Sequence, residues 1–158
     1  MDIIRPTYLN INLQRLEHNH KIISSFLSKN TKLLAVIKAN AYGHGSFEVA
    51  TRLEKCGVDF FGVATIEEGI YLRQKGIKSK ILVLGSVYPF SSFKYIIDYN
   101  LTPTISSFQL AKKLSSYCKK NKIFINIHLK VDTGMSRIGM NIRFAKNTIM
   151  KISELNNL

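Results

Sequence analysis

The sequence FFGVATIEEGIYLRQKGIKSKILVLG, residues 60–85, alternates between strand-like and helix-like segments. FFGVA (60–64) and ILVLG (81–85) are short apolar runs, typical of strands that are buried on both faces. Between them, Thr65 can cap a helix over 66–75 that ends at Gly76. The segment therefore predicts a strand–helix–strand unit whose two strands run parallel.

The same alternation continues through the rest of the chain. Apolar periodicity predicts further helices over 12–28, 46–56, 91–99, 107–120 and 142–155. Further strands are predicted at LLAVI (33–37), LTPTI (101–105) and IFINIHLKV (123–131). About five β-then-α units indicate an α/β protein with a parallel sheet, which is either an open doubly wound sheet or part of a (β/α)8 barrel. The absence of G-x-G-x-x-G after the first strand favours the barrel.

Composition places the chain among ordinary globular proteins. It has 158 residues, of which 46% are hydrophobic and 21% are charged, enough for one domain with a core. No apolar run approaches the roughly 18 residues of a membrane helix, and the first residues do not resemble a signal peptide. Cys56 and Cys118 form no C-x-x-C pair and are interpreted as reduced thiols. These features predict a cytoplasmic protein without a membrane partner.

The formal net charge of +13 raises the question of a nucleic-acid partner. The lysines are scattered over most of the chain. Their densest cluster lies in and after one predicted amphipathic helix and consists of Lys112, Lys113, Lys119, Lys120 and Lys122. This pattern is typical of a solvated basic face, and we expect no nucleic-acid partner.

Functional side chains are expected where the parallel strands end, because both candidate folds place their sites there. Lys38 and Tyr42 follow the first strand, while Lys130 and Arg137 follow the fifth. A cationic edge of this kind suits a small ligand with phosphate or carboxylate groups. A half-buried Lys38 amine that is neutral part of the time could attack an aldehyde. The alternative is a lysine that extends its head into water at the rim of the strand.

Two segments carry a specific family resemblance. AVIKANAYGHG (35–45) strongly resembles the pyridoxal-phosphate attachment segment of the alanine racemases, and HLKVDTGMSRIGM (128–140) resembles a later segment of theirs. The resemblance continues along the chain, in the order in which the family has these segments, at RPTYLNINLQRLEHN (5–19), FFGVATIEEG (60–69), ILVLG (81–85) and LTPTISS (101–107). The chain is identified as a member of that family, with fold type III. The resemblance implies that residues 1–158 are the N-terminal part of a (β/α)8 TIM barrel, not closed in this chain, with the family's C-terminal β-domain absent.

The resemblance also implies an activity, a cofactor and site residues. The activity is interconversion of L-alanine and D-alanine with pyridoxal 5'-phosphate, supplying D-alanine for peptidoglycan, and the full-length family is expected to form homodimers. Lys38 would carry the cofactor and exchange the α-proton on the D-alanine face. Tyr42 would hydrogen-bond the cofactor phosphate, and Arg137 would contact its phenolic oxygen and the substrate carboxylate. Lys130 matches a position that is carbamylated in many members, where the new carboxylate steadies the arginine. No metal is implied.

The remaining residues of these motifs are expected to be structural. A histidine in a turn, such as His44, typically makes a structural hydrogen bond. Gly43 and Gly45 are expected to allow a tight backbone path. Asp132 is consistent with a turn residue, a cap or a partner of the site.

Chain length limits what these residues are expected to do. A complete barrel of this kind takes about 250 residues, and the chain has 158. The family's opposite-face tyrosine base, its arginine at the pyridine nitrogen and most of its phosphate cup have no counterpart here, so we expect no activity from this chain alone. It is an N-terminal piece of a full-length enzyme, a broken gene product, one half of a split enzyme, or a non-catalytic pyridoxal-phosphate-binding barrel protein.

Overall fold

A computed structural model describes residues 7–158 as alternating helices and strands. The strands are β1 (Ala35–Val36), β2 (Phe60–Val63), β3 (Lys80–Val83), β4 (Thr102–Ile105), β5 (His128–Leu129), β6 (Val131–Asp132) and β7 (Met140–Asn141). The helical segments are α1 (Leu13–Ser25), α2 (Lys38–Tyr42), α3 (Ser46–Lys55), α4 (Ile66–Gln74), α5 (Phe93–Asp98), α6 (Phe108–Asn121) and α7 (Ile142–Ser153). A short 3-10 turn, Phe90–Ser92, leads into α5. Arg5 and Pro6, at the start of the segment 5–19, lie outside the described residues.

The first five strands form a curved parallel sheet, and β6 and β7 pair separately. Its order is β1-β2-β3-β4-β5, and each neighbouring pair is parallel. Phe60 of β2 and His128 of β5 stack edge to face with 5.5 Å between ring centroids. In a flat sheet three strand spacings would separate them by roughly 14 Å. The sheet therefore curls as the wall of a barrel does, and the expected five-unit portion of a TIM barrel is confirmed.

The core lies between the sheet and the helices that follow its strands. Phe61, Val63, Ile81 and Val83 are fully buried on one face of β2 and β3. They belong to one apolar cluster that also contains buried leucines of three crossover helices, Leu53, Leu72 and Leu114. Gly62 faces the other side, where a Cβ would lie 2.9 Å from Leu34 Cδ2 and 3.2 Å from Leu84 Cδ1. Each strand thus presents one face to the helices and the other to the barrel interior.

Most predicted elements are confirmed within one to three residues, including the caps. The Thr65 side chain accepts a hydrogen bond from Glu68 N, and Ser107 accepts one from Leu110 N. LLAVI is shorter than predicted, because ladder pairing covers only Ala35 and Val36. Pro103 is buried within β4 and pairs with Val83.

The prediction of one continuous strand over 123–131 is wrong. Ladder pairing covers His128–Leu129 and then Val131–Asp132, which pairs with β7. Residues before His128 instead bond to the last residues of the chain: Ile125 N–H donates to Asn157 O at 3.2 Å, and Asn157 Nδ2 donates to Ile123 O at 3.1 Å. These contacts give two backbone groups of the apolar run, Ile125 N–H and Ile123 C=O, a partner outside the sheet.

Two further features concern the cysteines and the lengths of the helices. Cys56 and Cys118 are free thiols, and Cys118 is buried. Within residues 7–158, no helix combines the length and the apolarity that crossing a bilayer requires.

Candidate active site

Lys38 lies just after β1, at the carboxyl edge of the sheet. Ile37 N–H donates to Gly62 O at 2.8 Å, so the pairing of β1 with β2 continues up to the residue before Lys38. The Lys38 side chain is half-buried, and its Nζ lies 5.9 Å from the centroid of the Tyr42 ring. Tyr42 is 60% exposed. The structure therefore places the amine and the phenol ring close to one another.

Four consecutive residues after Lys38 form a left-handed helical turn. Their φ angles are 50° at Ala39, 53° at Asn40, 52° at Ala41 and 54° at Tyr42. A left-handed conformation costs a non-glycine residue roughly 1–2 kcal/mol, and it normally occurs at single residues. Such strain persists where surrounding contacts enforce it, and it is concentrated at functional sites.

Contacts with α3 and with His44 hold this turn. Asn40 Oδ1 accepts a hydrogen bond from Ser46 N at 2.8 Å. This bond caps α3, because the N-cap residue of that helix is Gly45, which has no side chain that could do so. His44 Nδ1 donates to Ala41 O at 2.9 Å, which confirms the structural role expected of this histidine. Gly43 ends the turn with φ 86° and donates to Ala39 O at 3.0 Å.

Glu68 is a further residue of this edge, and the sequence reasoning did not single it out. Its Oε1 accepts a hydrogen bond from Ala39 N at 2.7 Å, and its Oε2 accepts one from Ala64 N at 2.7 Å. One carboxylate thus joins the residue after Lys38 to the end of β2. The spacing Thr65-x-x-Glu68 is a sequence signal, but it is the signal of a capping box within α4.

Lys130 lies at the same edge, two strands from β3. Its N–H donates to Ile105 O at 2.9 Å, which fixes the backbone beside the end of β4. Its Nζ lies 3.5 Å from Leu84 O, just beyond β3. The side chain therefore spans the carboxyl ends of β3 and β4 on the inner side of the sheet.

Arg137 lies in the loop between β6 and β7. Asp132 Oδ1 accepts hydrogen bonds from Gly134 N and Ser136 N, each at 3.0 Å, which confirms Asp132 as a turn residue. These bonds, with that from Ser136 the strongest, lower the pKa of Asp132 below its ordinary value. The Arg137 guanidinium is exposed and lies 3.0 Å from Met135 Sδ. Within residues 7–158, neither Arg137 nor Lys130 forms an ion pair with an acidic side chain.

The donor set of this edge fits a phosphate-bearing aldehyde. Lys38 offers a primary amine that can condense with the aldehyde, and Tyr42 a phenol that can donate a hydrogen bond to the phosphate. Across the described part of the chain, His, Cys, Asp and Glu side chains form no group of three that could hold a metal ion. Fold and site together define a barrel-type α/β protein with a lysine-bearing strained turn at the carboxyl edge of its sheet.

Comparison with known proteins identifies the family. Residues 11–158 match the family described as "Alanine racemase, N-terminal domain". The chain is 40% identical over 158 residues to alanine racemase 1 of Caldanaerobacter subterraneus subsp. tengcongensis, covering 99% of this chain and 40% of the relative. The chain therefore belongs to the alanine racemase family, as the sequence motifs predicted.

Solved structures agree with this assignment. Alanine racemase of Clostridium difficile 630 superimposes with a TM-score of 0.90 at 39% identity, over 99% of this chain and 41% of that one. Histidine racemase from Leuconostoc mesenteroides superimposes with a TM-score of 0.81 at 30% identity, over 92% of this chain and 39% of that one. The chain spans about 40% of the length of the alanine racemases it matches.

Proposed function

We propose that this chain is the lysine-bearing part of a pyridoxal-phosphate-dependent alanine racemase, an isomerase that interconverts L-alanine and D-alanine. The observation that carries the proposal is Lys38, half-buried at the end of β1 with its amine 5.9 Å from the Tyr42 ring centroid. The relatives named alanine racemase support the reaction. We further propose that the D-alanine serves peptidoglycan synthesis in the cytoplasm and that the working enzyme is a homodimer.

Each site residue has a separate proposed role. Lys38 holds the cofactor through its amine, and the Tyr42 hydroxyl donates a hydrogen bond to the cofactor phosphate. Arg137 contacts the cofactor's phenolic oxygen and the substrate carboxylate, for which its guanidinium must leave Met135. Lys130 supports the arginine once carbamylation has exchanged its positive charge for a carboxylate. When bound, pyridoxal phosphate supplies the electron-withdrawing ring that makes the α-proton of alanine acidic.

Proton transfer on one face of the substrate is proposed for Lys38. Its freed Nζ accepts the α-proton from one enantiomer and returns a proton to the same face in the reverse direction. This requires an amine that is unprotonated when the substrate is bound and fixed in orientation. Racemisation also needs an acid–base group on the opposite face of the substrate.

The cofactor assignment is tested by chemical trapping. We would incubate the chain with pyridoxal phosphate, reduce it with borohydride and map the modified peptide. Lys38 is expected to carry most of the label, and Lys38→Arg should remove it, while Lys112→Arg should not. Label spread evenly over surface lysines would contradict the assignment.

The reaction assignment needs an activity measurement. A D-amino-acid-oxidase-coupled assay is expected to detect no alanine racemisation by the 158 residues alone. Co-expression with the remaining region of a family member should restore turnover, and Lys38→Ala should abolish it. Restored turnover that survives Lys38→Ala would contradict the role of Lys38, whereas labelling of Lys38 without any restored turnover would favour a non-catalytic pyridoxal-phosphate protein.

A further inference from the structure

The local sequence around Glu68 predicts a role that the structure does not give it. In a capping box the carboxylate three residues after a threonine N-cap accepts the N–H of that N-cap. Here the Thr65 hydroxyl does accept the Glu68 N–H, at 3.3 Å. The Glu68 carboxylate, however, bonds to Ala64 N, one residue further back, and to Ala39 N, 29 residues away in the sequence. The hydrogen bond from Glu68 N to the Thr65 hydroxyl is thus formed as in a capping box, whereas the Glu68 carboxylate binds N–H groups other than that of Thr65.

Both of these hydrogen bonds are short and well placed to be strong. Each N···O distance is 2.7 Å, at the short end of the range for a bond to an ionised acceptor. Ala39 is the first residue of the left-handed turn and the neighbour of Lys38. Ala64 directly follows β2, the strand that pairs with β1. The carboxylate therefore fixes the peptide between Lys38 and Ala39 relative to the sheet.

We propose that Glu68 is a positioning residue that holds the Lys38–Ala39 peptide in the strained turn and so orients the Lys38 amine. The inference rests on the proposed role of Lys38 as the cofactor lysine. The Ala39 N–H lies in the plane of the Lys38–Ala39 peptide, whose orientation is set by the ψ angle of Lys38. The bond to Glu68 therefore holds the Lys38 backbone from which the side chain extends. Each oxygen of the Glu68 carboxylate accepts one of the two N–H groups, so both oxygens are used.

The test uses Glu68→Gln, with Glu67→Gln as its matched control. Glutamine keeps the shape of Glu68 but replaces one acceptor oxygen by a donor NH2 group. Glu67 is the exposed neighbour in the same helical turn, and its substitution removes the same charge. Amide hydrogen exchange is measured on the cofactor-free chain, and borohydride trapping with pyridoxal phosphate is measured separately.

The expected result is local. In Glu68→Gln, the amides of Ala39 and Ala64 should exchange at least tenfold faster, while those of Gly62 and Leu82 within the sheet keep their protection. Trapping at Lys38 should slow at least fivefold relative to trapping at Lys112 in the same molecule. Glu67→Gln should match the parent chain in both measurements. A purely structural role would lower protection throughout the sheet and leave the Lys38 to Lys112 ratio of the folded molecule unchanged.

The outcomes separate this inference from the proposed function. An unchanged rate of amide exchange at Ala39 in Glu68→Gln overturns the positioning role. If the parent chain is trapped preferentially at Lys38, an unchanged ratio of the trapping rates at Lys38 and Lys112 in Glu68→Gln overturns it as well. If the parent chain shows no preference for Lys38, the proposed function fails, and exchange alone judges the Glu68 contact. Should Glu68→Gln not fold, Glu68→Asp keeps the charge with a shorter reach. It should lose protection at one of the two amides, and full protection at both would overturn the inference.

Discussion

Exchanging Asn40 for glycine and for alanine tests the handedness of the Lys38 turn. Both substitutions remove the hydrogen bond from Ser46 N to Asn40 Oδ1, 2.8 Å long, which caps α3. Loss of such a cap costs about 1 kcal/mol. The backbone term differs between the two, because Asn40 has φ 53°. Asparagine tolerates this region, glycine adopts it freely, and alanine is disfavoured by roughly 1–2 kcal/mol.

These terms give an expected order of stability. Asn40→Gly should lower the free energy of unfolding by about 1 kcal/mol, mainly through the lost cap. Asn40→Ala should lower it by roughly 2–3 kcal/mol, because the conformational penalty adds to the same loss. In a right-handed helix the order is reversed, since glycine is about 1 kcal/mol less favourable than alanine.

The measurement is urea unfolding of the two Asn40 variants and of a matched pair at Ser116, an exposed right-handed position in α6. The change in midpoint is converted to free energy with the m-value held constant. At Ser116 the alanine variant should be the more stable of the pair, and at Asn40 the glycine variant. An Asn40→Ala variant as stable as Asn40→Gly would refute the left-handed turn.

Three further substitutions probe contacts elsewhere in the fold. Burial would raise the pKa of Glu54, but hydrogen bonds from Ser79 and Lys78 together with the charge of Arg73 outweigh it and lower the pKa below 4.5. A carboxyl group with a lowered pKa stabilises the folded state above pH 4.5, and this stabilisation is lost as the pH falls through its folded-state pKa. The urea midpoint of the parent chain should therefore exceed that of Glu54→Gln by less at pH 3 than at pH 7. Gly85→Ala would place a Cβ 2.4 Å from Ala64 O and should lower the unfolding free energy by about 1–3 kcal/mol, whereas an unchanged midpoint would refute this close approach. Arg73→Ala should cost about 2–4 kcal/mol, with little recovery in Arg73→Lys, because the guanidinium donates to four carbonyls, those of Ile77, Ser79, Tyr99 and Asn100.

The strand–helix alternation could be predicted from the sequence because its signals are local. FFGVA and ILVLG are apolar on both faces, and the structure buries both faces between helices and barrel interior. Thr65 and Ser107 mark helix starts by a mechanism that needs no distant partner. Elements of this kind follow from neighbouring residues, and their boundaries were accordingly close.

The prediction of the fifth strand was wrong because the hydrogen-bond pairing of residues 123–127 depends on a distant segment. Residues 123–127 carry the same apolar, β-branched character as a buried strand. Their backbone partners include Asn157, which lies 34 residues from Ile123 in the sequence. No local pattern distinguishes an apolar run that pairs with a neighbouring strand from one that pairs with the chain end.

The site was predictable in its residue types but not in its geometry. The order of the strands was enough to place Lys38, Tyr42 and Lys130 at one edge. The role of Lys38 needed the family resemblance, because a lysine at the rim of a strand usually only reaches into water. The left-handed turn could not be predicted, since KANAY contains no glycine and alanine strongly favours the right-handed helix.

The persistence of that turn depends on several contacts of similar size. Four left-handed residues cost roughly 4–8 kcal/mol together at about 1–2 kcal/mol each. The ionised Glu68 bond to Ala39 N contributes about 1.5–3 kcal/mol, and three neutral bonds from Ser46 N, His44 Nδ1 and Gly43 N contribute about 1 kcal/mol each. Because strain and support are of similar size, we expect loss of the Glu68 bond to loosen the turn at Ala39 before it disturbs the sheet. We therefore expect the orientation of Lys38 to depend on local side chains, chiefly Glu68 and Asn40.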